Sequence, residues 1–342
     1  MDFDVSCEGA SVTGRVRYED FVVSTSGRSS TGHMLPARYI EVRALAWDDN
    51  DELAKTHTDR DGRYRLEIPL DALGDDPSYW VQVRAKTDIS GIKQRATRGG
   101  THIYEWDINR EINLVEEPHA EVNLDVDEAA AAGVLNMMDV GVSCFEFLKS
   151  FGLDMGVTVK WNWRSGSRTG SYASGSTVYA AGSTSDPDQY DDIVLGHEFG
   201  HVAHFQLSDS DSPGGGHSPW SRVDPQLAWG EGFATYFGAA ALGMDRYLDA
   251  FRPGHGVGIN HSIESLPSSI PKGTSGGLSG RISEAVVAAS LLDLHDTGNE
   301  SKDTLSGLSG SVWTVMTGYL GEDTDNYDGG RGQSGRDYID FL

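Results

Sequence analysis

Two periodicities divide the chain. Up to about residue 125, apolar and polar positions alternate with period two in SVTGRVRYED (11–20), RYIEVRALAW (38–47), GRYRLEIPL (62–70), SYWVQVRAKT (78–87) and AEVNLDV (120–126). That is the spacing of strands with one face in a core. In RYIEVRALAW, Tyr39, Glu41, Arg43, Leu45 and Trp47 compete with Ile40, Val42, Ala44 and Ala46 for the inward face. The second set is uniformly apolar and is expected inside. Turn residues separate the runs at DDND (48–51), DRDG (59–62) and GDDP (74–77). Short strands between spaced turns predict an all-β sandwich over 1–125, with no helix in it.

The pattern changes at Asp127. DEAAAAGVLNMMDVGVSCFEFLKSFG has an Asp cap, helical apolar spacing and a closing Gly152. Strand-like VTVKWNW (157–163) and STVYAAG (176–182) follow, and then helix and glycine-rich loop, including GGG at 214–216 and SGGLSG at 275–280. The expected second domain, 126–342, is α+β and mainly helical.

Length and composition fit this division. The chain has 342 residues, 38% apolar and 23% charged, enough for two folded domains. Acidic residues outnumber basic ones 52 to 27, for a net charge of -25. Such a field repels nucleic acid and anionic membranes, so neither is an expected partner. No run of apolar residues is long enough to span a bilayer. The start, MDFDVSCEGA, lacks the basic and apolar regions of a signal peptide. Cys7 and Cys144 are the only cysteines, and one bridge or two buried thiols are both open.

The chemistry concentrates in DPDQYDDIVLGHEFGHVAHFQL (186–207). Asp186-Pro187 reads as a helix start, and Asp188, Asp191 and Asp192 sit where a helix dipole favours negative charge. His197 and His201 are then four apart on one face, the spacing that lets two imidazoles reach one ion. Glu198 lies beside them, placed to take a proton from a metal-bound water. A catalytic zinc needs a third protein ligand. DPQLAWGEGFATYFGAAALG (224–243) offers one on a helix capped by Asp224, begun by Pro225 and stopped by Gly243. Glu231 is its only internal acid. Its helical neighbours Leu227, Ala234, Thr235 and Gly238 are uncharged and mostly small, so the carboxylate needs a cation and the helix can approach the His helix closely. His204 shares the face of His197 and reads as a core or surface histidine rather than a supporting group. His217, His255 and His261 fall in loops with nothing to mark them as ligands.

HEFGH followed by AWGEGFATYF resembles the gluzincin metallopeptidases. The match is to the Trp-x-x-Glu-Gly-Phe-Ala form of the second helix at Glu231, Gly232, Phe233 and Ala234. Metzincins are excluded, because their pattern wants Gly and His where this chain has His204 and Leu207. Two departures stand out: Glu231 follows His201 by 30 positions, longer than in the related branches, and the Gly-x-Met-Glu-Asn exopeptidase motif is absent. Separately, HTDRDGRYRLEIP resembles the Thr-Asp-x-Asp-Gly-x-Tyr hairpin of carboxypeptidase regulatory-like, or transthyretin-like, domains at Thr58, Asp59, Asp61, Gly62 and Tyr64. Gly62 would take the positive φ of the turn. Asp59 and Asp61 read as turn residues rather than a calcium site, since no later glutamate completes an EF-hand loop.

The gluzincin resemblance implies a zincin-like domain after the sandwich and a Zn2+ held by His197, His201 and Glu231. Glu198 would be the general base, and a protein or peptide the substrate, cut as by an endopeptidase. STVYAAG would be the edge strand that receives the substrate backbone, and the 205–224 loop would roof the site. In related enzymes a histidine from a later helix steadies the oxyanion. Here that candidate is His295 on RISEAVVAASLLDLHD (281–296), with Arg281 and several tyrosines as alternatives. The resemblance also implies a secreted or cell-surface protein, with a cytoplasmic one as the alternative. Two rival functions stand beside this one: a non-catalytic binding or adhesin protein with a degenerate peptidase domain, and a zinc hydrolase of a non-peptide amide or ester. Glu198 argues against the first, because a dead site has no chemical need of it.

Overall fold

Alternation along the first half becomes sheet in the computed structural model, which describes residues 10–69, 77–266, 281–297, 305–321 and 336–342. Cys7, most of the expected turn at 74–77 and the run at 275–280 lie outside the described residues. The chain forms two compact units. One comprises Met1–Phe21 and Thr31–Val142, the other Val22–Ser30 and Ser143–Leu342.

In the first unit the strand Ala10–Asp20 is the hub. Its first half pairs antiparallel with Arg63–Ile68 and its second half with His33–Pro36. On its other side lie His119–Glu121 and Leu124–Val126, both parallel to it. Arg63–Ile68 shows the clean alternation of a half-buried strand, with Tyr64, Leu66 and Ile68 inside. A four-stranded antiparallel sheet runs in the order Glu105–Asn113, Ser78–Arg84, Glu41–Ala46, Glu52–His57. Lys86–Ile89, Ile92–Arg98 and His102–Ile103 form an antiparallel meander. No closed barrel, and no helix before residue 125, occurs among the described residues.

The inward face of Glu41–Ala46 departs from expectation. Ile40, Val42 and Ala44 are buried, but so is Glu41, and Ala46 is only half-buried. This strand has neighbours on both sides, and Glu41 meets Arg84 at 2.9 Å and Lys86 at 2.8 Å. The two cations hold its carboxyl below the ordinary range against the upward push of burial. In the 59–62 turn Gly62 has φ 75°, and a Cβ there would lie 2.5 Å from the Val16 carbonyl. Asp59 accepts hydrogen bonds from the N–H groups of Asp61 and Arg63, so its carboxylate serves the turn. Thr58 Oγ1 accepts from Ile40 N–H and donates to Ala37 O, and Tyr64 donates to Val122 O. The spaced polar residues of that hairpin thus tie it to its neighbours.

Helix α1 spans Ala132–Ser150, and the division between the units falls within it. Asp127 accepts from Ala130 N–H in a turn ahead of the helix, and Ala131 has φ 71°, so α1 starts later than the cap pattern implies. Cys144 is fully buried in it.

The second unit sets helices against a short sheet. Val159–Asn162 runs parallel to Thr177–Tyr179, which also pairs antiparallel with Tyr172–Ser174. Helix α2, Asp192–Leu207, and helix α3, Pro225–Leu242, pack together, followed by the hairpin Arg246–Ala250 and Val257–Ser262. Helix α4 is Glu284–His295, α5 is Ser309–Thr317 and α6 is Tyr338–Phe341. Trp161, Phe199, Trp229, Phe233, Tyr236 and Phe237 are among its largest fully buried side chains. As the pattern of residues implies, Asp224 caps α3 by accepting from Gln226 N–H, Pro225 opens it, and Gly243 ends it with φ 66°.

Candidate metal centre

Close contact between α2 and α3 builds the site. A Cβ on Gly200 would lie 2.8 Å from the Ala234 carbonyl, and one on Gly238 would lie 2.8 Å from His197 N. These are backbone atoms that cannot swing aside, so glycine is what lets the helices meet at this depth. The face of α2 carrying His197 and His201 then confronts Glu231 and Thr235 of α3.

His197 Nε2 and His201 Nε2 are 3.1 Å apart. Glu231 Oε2 lies 3.1 Å from His201 Nε2 and 3.3 Å from His197 Nε2. Ligands at the roughly 2.0–2.1 Å bonds of a tetrahedral ion sit about 3.3 Å from one another. The three atoms therefore already have close to the mutual spacing that one ion requires. His197 Nδ1 is 2.9 Å from Thr235 Oγ1. When Nδ1 donates to that hydroxyl, Nε2 is left bare toward the ion, as outer partners of metal-binding histidines commonly arrange. Burial pushes the Glu231 carboxyl up, but the two facing imidazoles override it and hold it well below the usual carboxylate range. Two imidazoles and a carboxylate form a donor set that suits a divalent metal.

A cavity of about 530 Å³ opens over these residues. Glu198 lines it, is only 6% exposed, and has Oε2 buried without a hydrogen-bond partner among the described residues. A buried oxygen of that kind is costly in a purely structural role. The 205–224 segment contributes Ser210, Ser212, Gly214, Gly215 and His217 to the lining. Asp186, Asp188 and Asp249 also line the cavity and approach one another. Burial pushes the Asp188 carboxyl up to about 8 and Asp249 up to about 6.

Several sequence expectations change here. The α-helix begins at Asp192, not at Asp186-Pro187; Asp188–Tyr190 is a single 3₁₀ turn. Asp188 accepts from the Ser171 hydroxyl and Asp191 from Ala250 N–H, so both acids are tied to neighbouring segments ahead of the helix. Thr177–Tyr179 is paired on both sides and is not an edge. The edge is Tyr172–Ser174, and Ser171, Tyr172 and Ala173 line the cavity. His295, the candidate oxyanion donor, is not brought to the metal-ligand residues. Its ring lies against Phe147, and Nδ1 is 3.3 Å from the Tyr236 hydroxyl. Arg281 is exposed. His204 is a core histidine among Phe205, Trp229 and Phe233.

His217, Tyr247 and His261 carry no local mark in the sequence, yet all three line the cavity. Tyr247 stacks on His261 and meets the His197 ring edge-on. His217 Nδ1 is 2.8 Å from Glu284 Oε2 and its Nε2 is 3.5 Å from Glu231 Oε1. The hydrogen bond to Glu284 leads in raising the imidazole to about 9, against the downward push of burial.

The site is thus a cleft with a triad of side chains spaced so that they could hold a metal ion, and a buried acid beside it. A family model for the mycolysin C-terminal domain matches residues 150–339, more than half the chain, and the chain belongs to that family. This is a domain of a zinc metallopeptidase family, which gives the chain kinship with peptidases. No protein of curated function matches the sequence. Among solved structures, a 9R-lipoxygenase from Cyanothece PCC8801 is matched with a TM-score of 0.22 and 12% identity, over 44% of this chain and 25% of that one. The chain spans about a quarter of that enzyme's length, and so slight a likeness says nothing of fold or chemistry here.

Proposed function

We propose that the chain is a zinc-dependent peptidase in which His197, His201 and Glu231 hold the metal and Glu198 is the general base. The observation that carries this reading is the near-tetrahedral spacing of three ligand atoms beside a buried carboxylate oxygen that has no hydrogen-bond partner among the described residues. Bound zinc supplies Lewis acidity and a water acidified to near neutrality. Glu198 accepts the proton of the attacking water and returns it to the leaving amine. Thr235 keeps His197 in the tautomer that offers Nε2. The open edge of Tyr172–Ser174 pairs with an extended substrate backbone, which suits an endopeptidase. The second unit is then a zincin-like domain, and the β-rich first unit an accessory sandwich that supplies no site residue. Among the described residues no helix is long and apolar enough to cross a membrane. Kinship with mycolysin, whose relatives are typically extracellular, supports a secreted protein acting on other proteins.

The direct test maps new termini in a denatured protein mixture after incubation with the zinc-loaded chain. Cleavage that a chelator abolishes and zinc restores is the expected result. A chain that holds one zinc per molecule and produces no new termini would overturn the peptidase reading.

A further inference from the structure

The two oxygens of Glu231 face different partners. Oε2 lies 3.1 Å and 3.3 Å from the Nε2 atoms of His201 and His197. Oε1 lies 3.5 Å from His217 Nε2, and the far nitrogen of that ring, Nδ1, lies 2.8 Å from Glu284 Oε2. Glu284 is 6% exposed in the first turn of α4. Gly232, the residue after Glu231, lets α4 come this close: a Cβ there would lie 2.5 Å from Val287 Cβ and 2.7 Å from the Glu284 carbonyl. Side chains from a loop and two helices thus form one line, Glu284–His217–Glu231, that ends on the oxygen not used by the histidine pair.

We infer that His217 and Glu284 are positioning residues for Glu231: Glu284 fixes the His217 ring, and His217 occupies Oε1 so that Glu231 presents Oε2 alone to the metal. This rests on the metal-site reading given above. A carboxylate ligand can bind an ion through one oxygen or two, and a monodentate one leaves coordination room for water and substrate. Carboxylates only accept, so His217 Nδ1 donates to Glu284, and Nε2 faces Glu231 Oε1 at 3.5 Å. His217, Glu231 and Glu284 could also be read as a second cation site, since their ligand atoms lie within 4.8 Å of one another. The geometry favours the line. The two carboxylates make their short contacts with opposite nitrogens of one ring, 2.8 Å at Nδ1 and 3.5 Å at Nε2, rather than converging with one nitrogen on a common point.

The test uses the full chain and zinc itself, with affinity read by competition against a chromogenic chelator. His217→Ala and Glu284→Ala are each expected to weaken zinc binding about 10–100-fold, the usual effect of removing an outer partner of a ligand. The double variant should lose little beyond the larger single loss, because the pair acts as one unit. Cobalt(II) in place of zinc supplies a second readout. Release of Oε1 to the ion raises its coordination number and weakens the visible absorption bands, which a merely structural role for His217 would leave unchanged. If His217→Ala fails to fold, His217→Gln, which keeps a donor of similar reach, carries the same comparison with partial loss expected. Wild-type affinity and spectrum in both single variants would overturn the inference while leaving the triad intact. Zinc binding that survives Glu231→Ala undiminished would overturn the ligand assignment. A wild-type chain that takes up no zinc would overturn the metal centre and this inference with it.

Discussion

On the proposed reading, Glu198 separates chemistry from metal binding. Its buried oxygen has no hydrogen-bond partner among the described residues, and it is no member of the proposed ligand triad. Glu198→Gln keeps the size and one acceptor but cannot take a proton, so hydrolysis should fall about 100- to 10,000-fold. Metal content and melting should barely move. Glu231→Gln should instead lose metal, and excess zinc should restore part of its activity but none of that of Glu198→Gln. Retention by Glu198→Gln of more than about a tenth of the wild-type rate, far less than a lost general base costs, would sink the mechanism. His204 tests a different property. Burial lowers its imidazole from 6.5 to about 3, so the neutral form is folded into the core. Its folded value lies below its unfolded one, so its contribution is intact above about pH 6.5 and drains away as pH falls toward 3. His204→Leu should therefore show a shallower fall in melting temperature between pH 6.5 and pH 4 than the parent, with both proteins metal-free. Parallel curves would place the acid sensitivity elsewhere.

At the level of elements, the α2–α3 contact is where packing and chemistry coincide. Gly238→Ala would set a methyl 2.8 Å from His197 N and 2.9 Å from the Gly196 carbonyl carbon. The helices must part, at a cost of about 1–3 kcal/mol for an overpacked interface, and Glu231 moves away from the histidines. Melting and zinc titration of one sample should fall together; lost stability with unaltered zinc affinity would show that the ligand geometry does not depend on this contact. Much of this pair was legible in advance. Four-residue spacing pairs His197 with His201, and Glu231 stands alone among small neighbours between the Asp224-Pro225 start and the Gly243 stop. What escaped was non-local. The helix start shifted from Asp186 to Asp192 because Asp188 and Asp191 bond to Ser171 and Ala250, far away in sequence. Thr177–Tyr179 reads as an edge until its two partners are seen. His217 sits in a segment with no periodicity, and only the fold brings it within reach of Glu231 and Glu284. Glu41 is buried where Arg84 of the paired strand and Lys86 beyond its end meet it, which alternation along its own strand cannot reveal.

On the scale of the whole molecule, the two units are not simply consecutive. Val22–Ser30 leaves the first and joins the second. Within it Val23–Ser24 and Gly27–Arg28 form a small hairpin. Gly27, with φ 103°, comes so near Gly256 that a Cβ would lie 2.8 Å from its carbonyl, and the Arg28 guanidinium sits 4.9 Å over the Tyr190 ring. Arg28 is 8% exposed, so Arg28→Ala should destabilise the second unit by about 0.5–2 kcal/mol, the range for a partly desolvated cation over a ring. Hydrogen exchange should quicken near Tyr190 while the strand Ala10–Asp20 keeps its protection; equal quickening in both would show that the segment does not belong to the second unit alone. The same threading has a consequence for synthesis. Arg28 leaves the ribosome about 160 residues ahead of Tyr190. At roughly 5–20 residues per second this is about 8–32 s. Late in that interval, once Val142 has emerged, the first unit can close around Ala10–Asp20 while the hairpin has yet to meet Tyr190 and Gly256, and it stays open to chaperones and proteases until the second unit emerges to take it up.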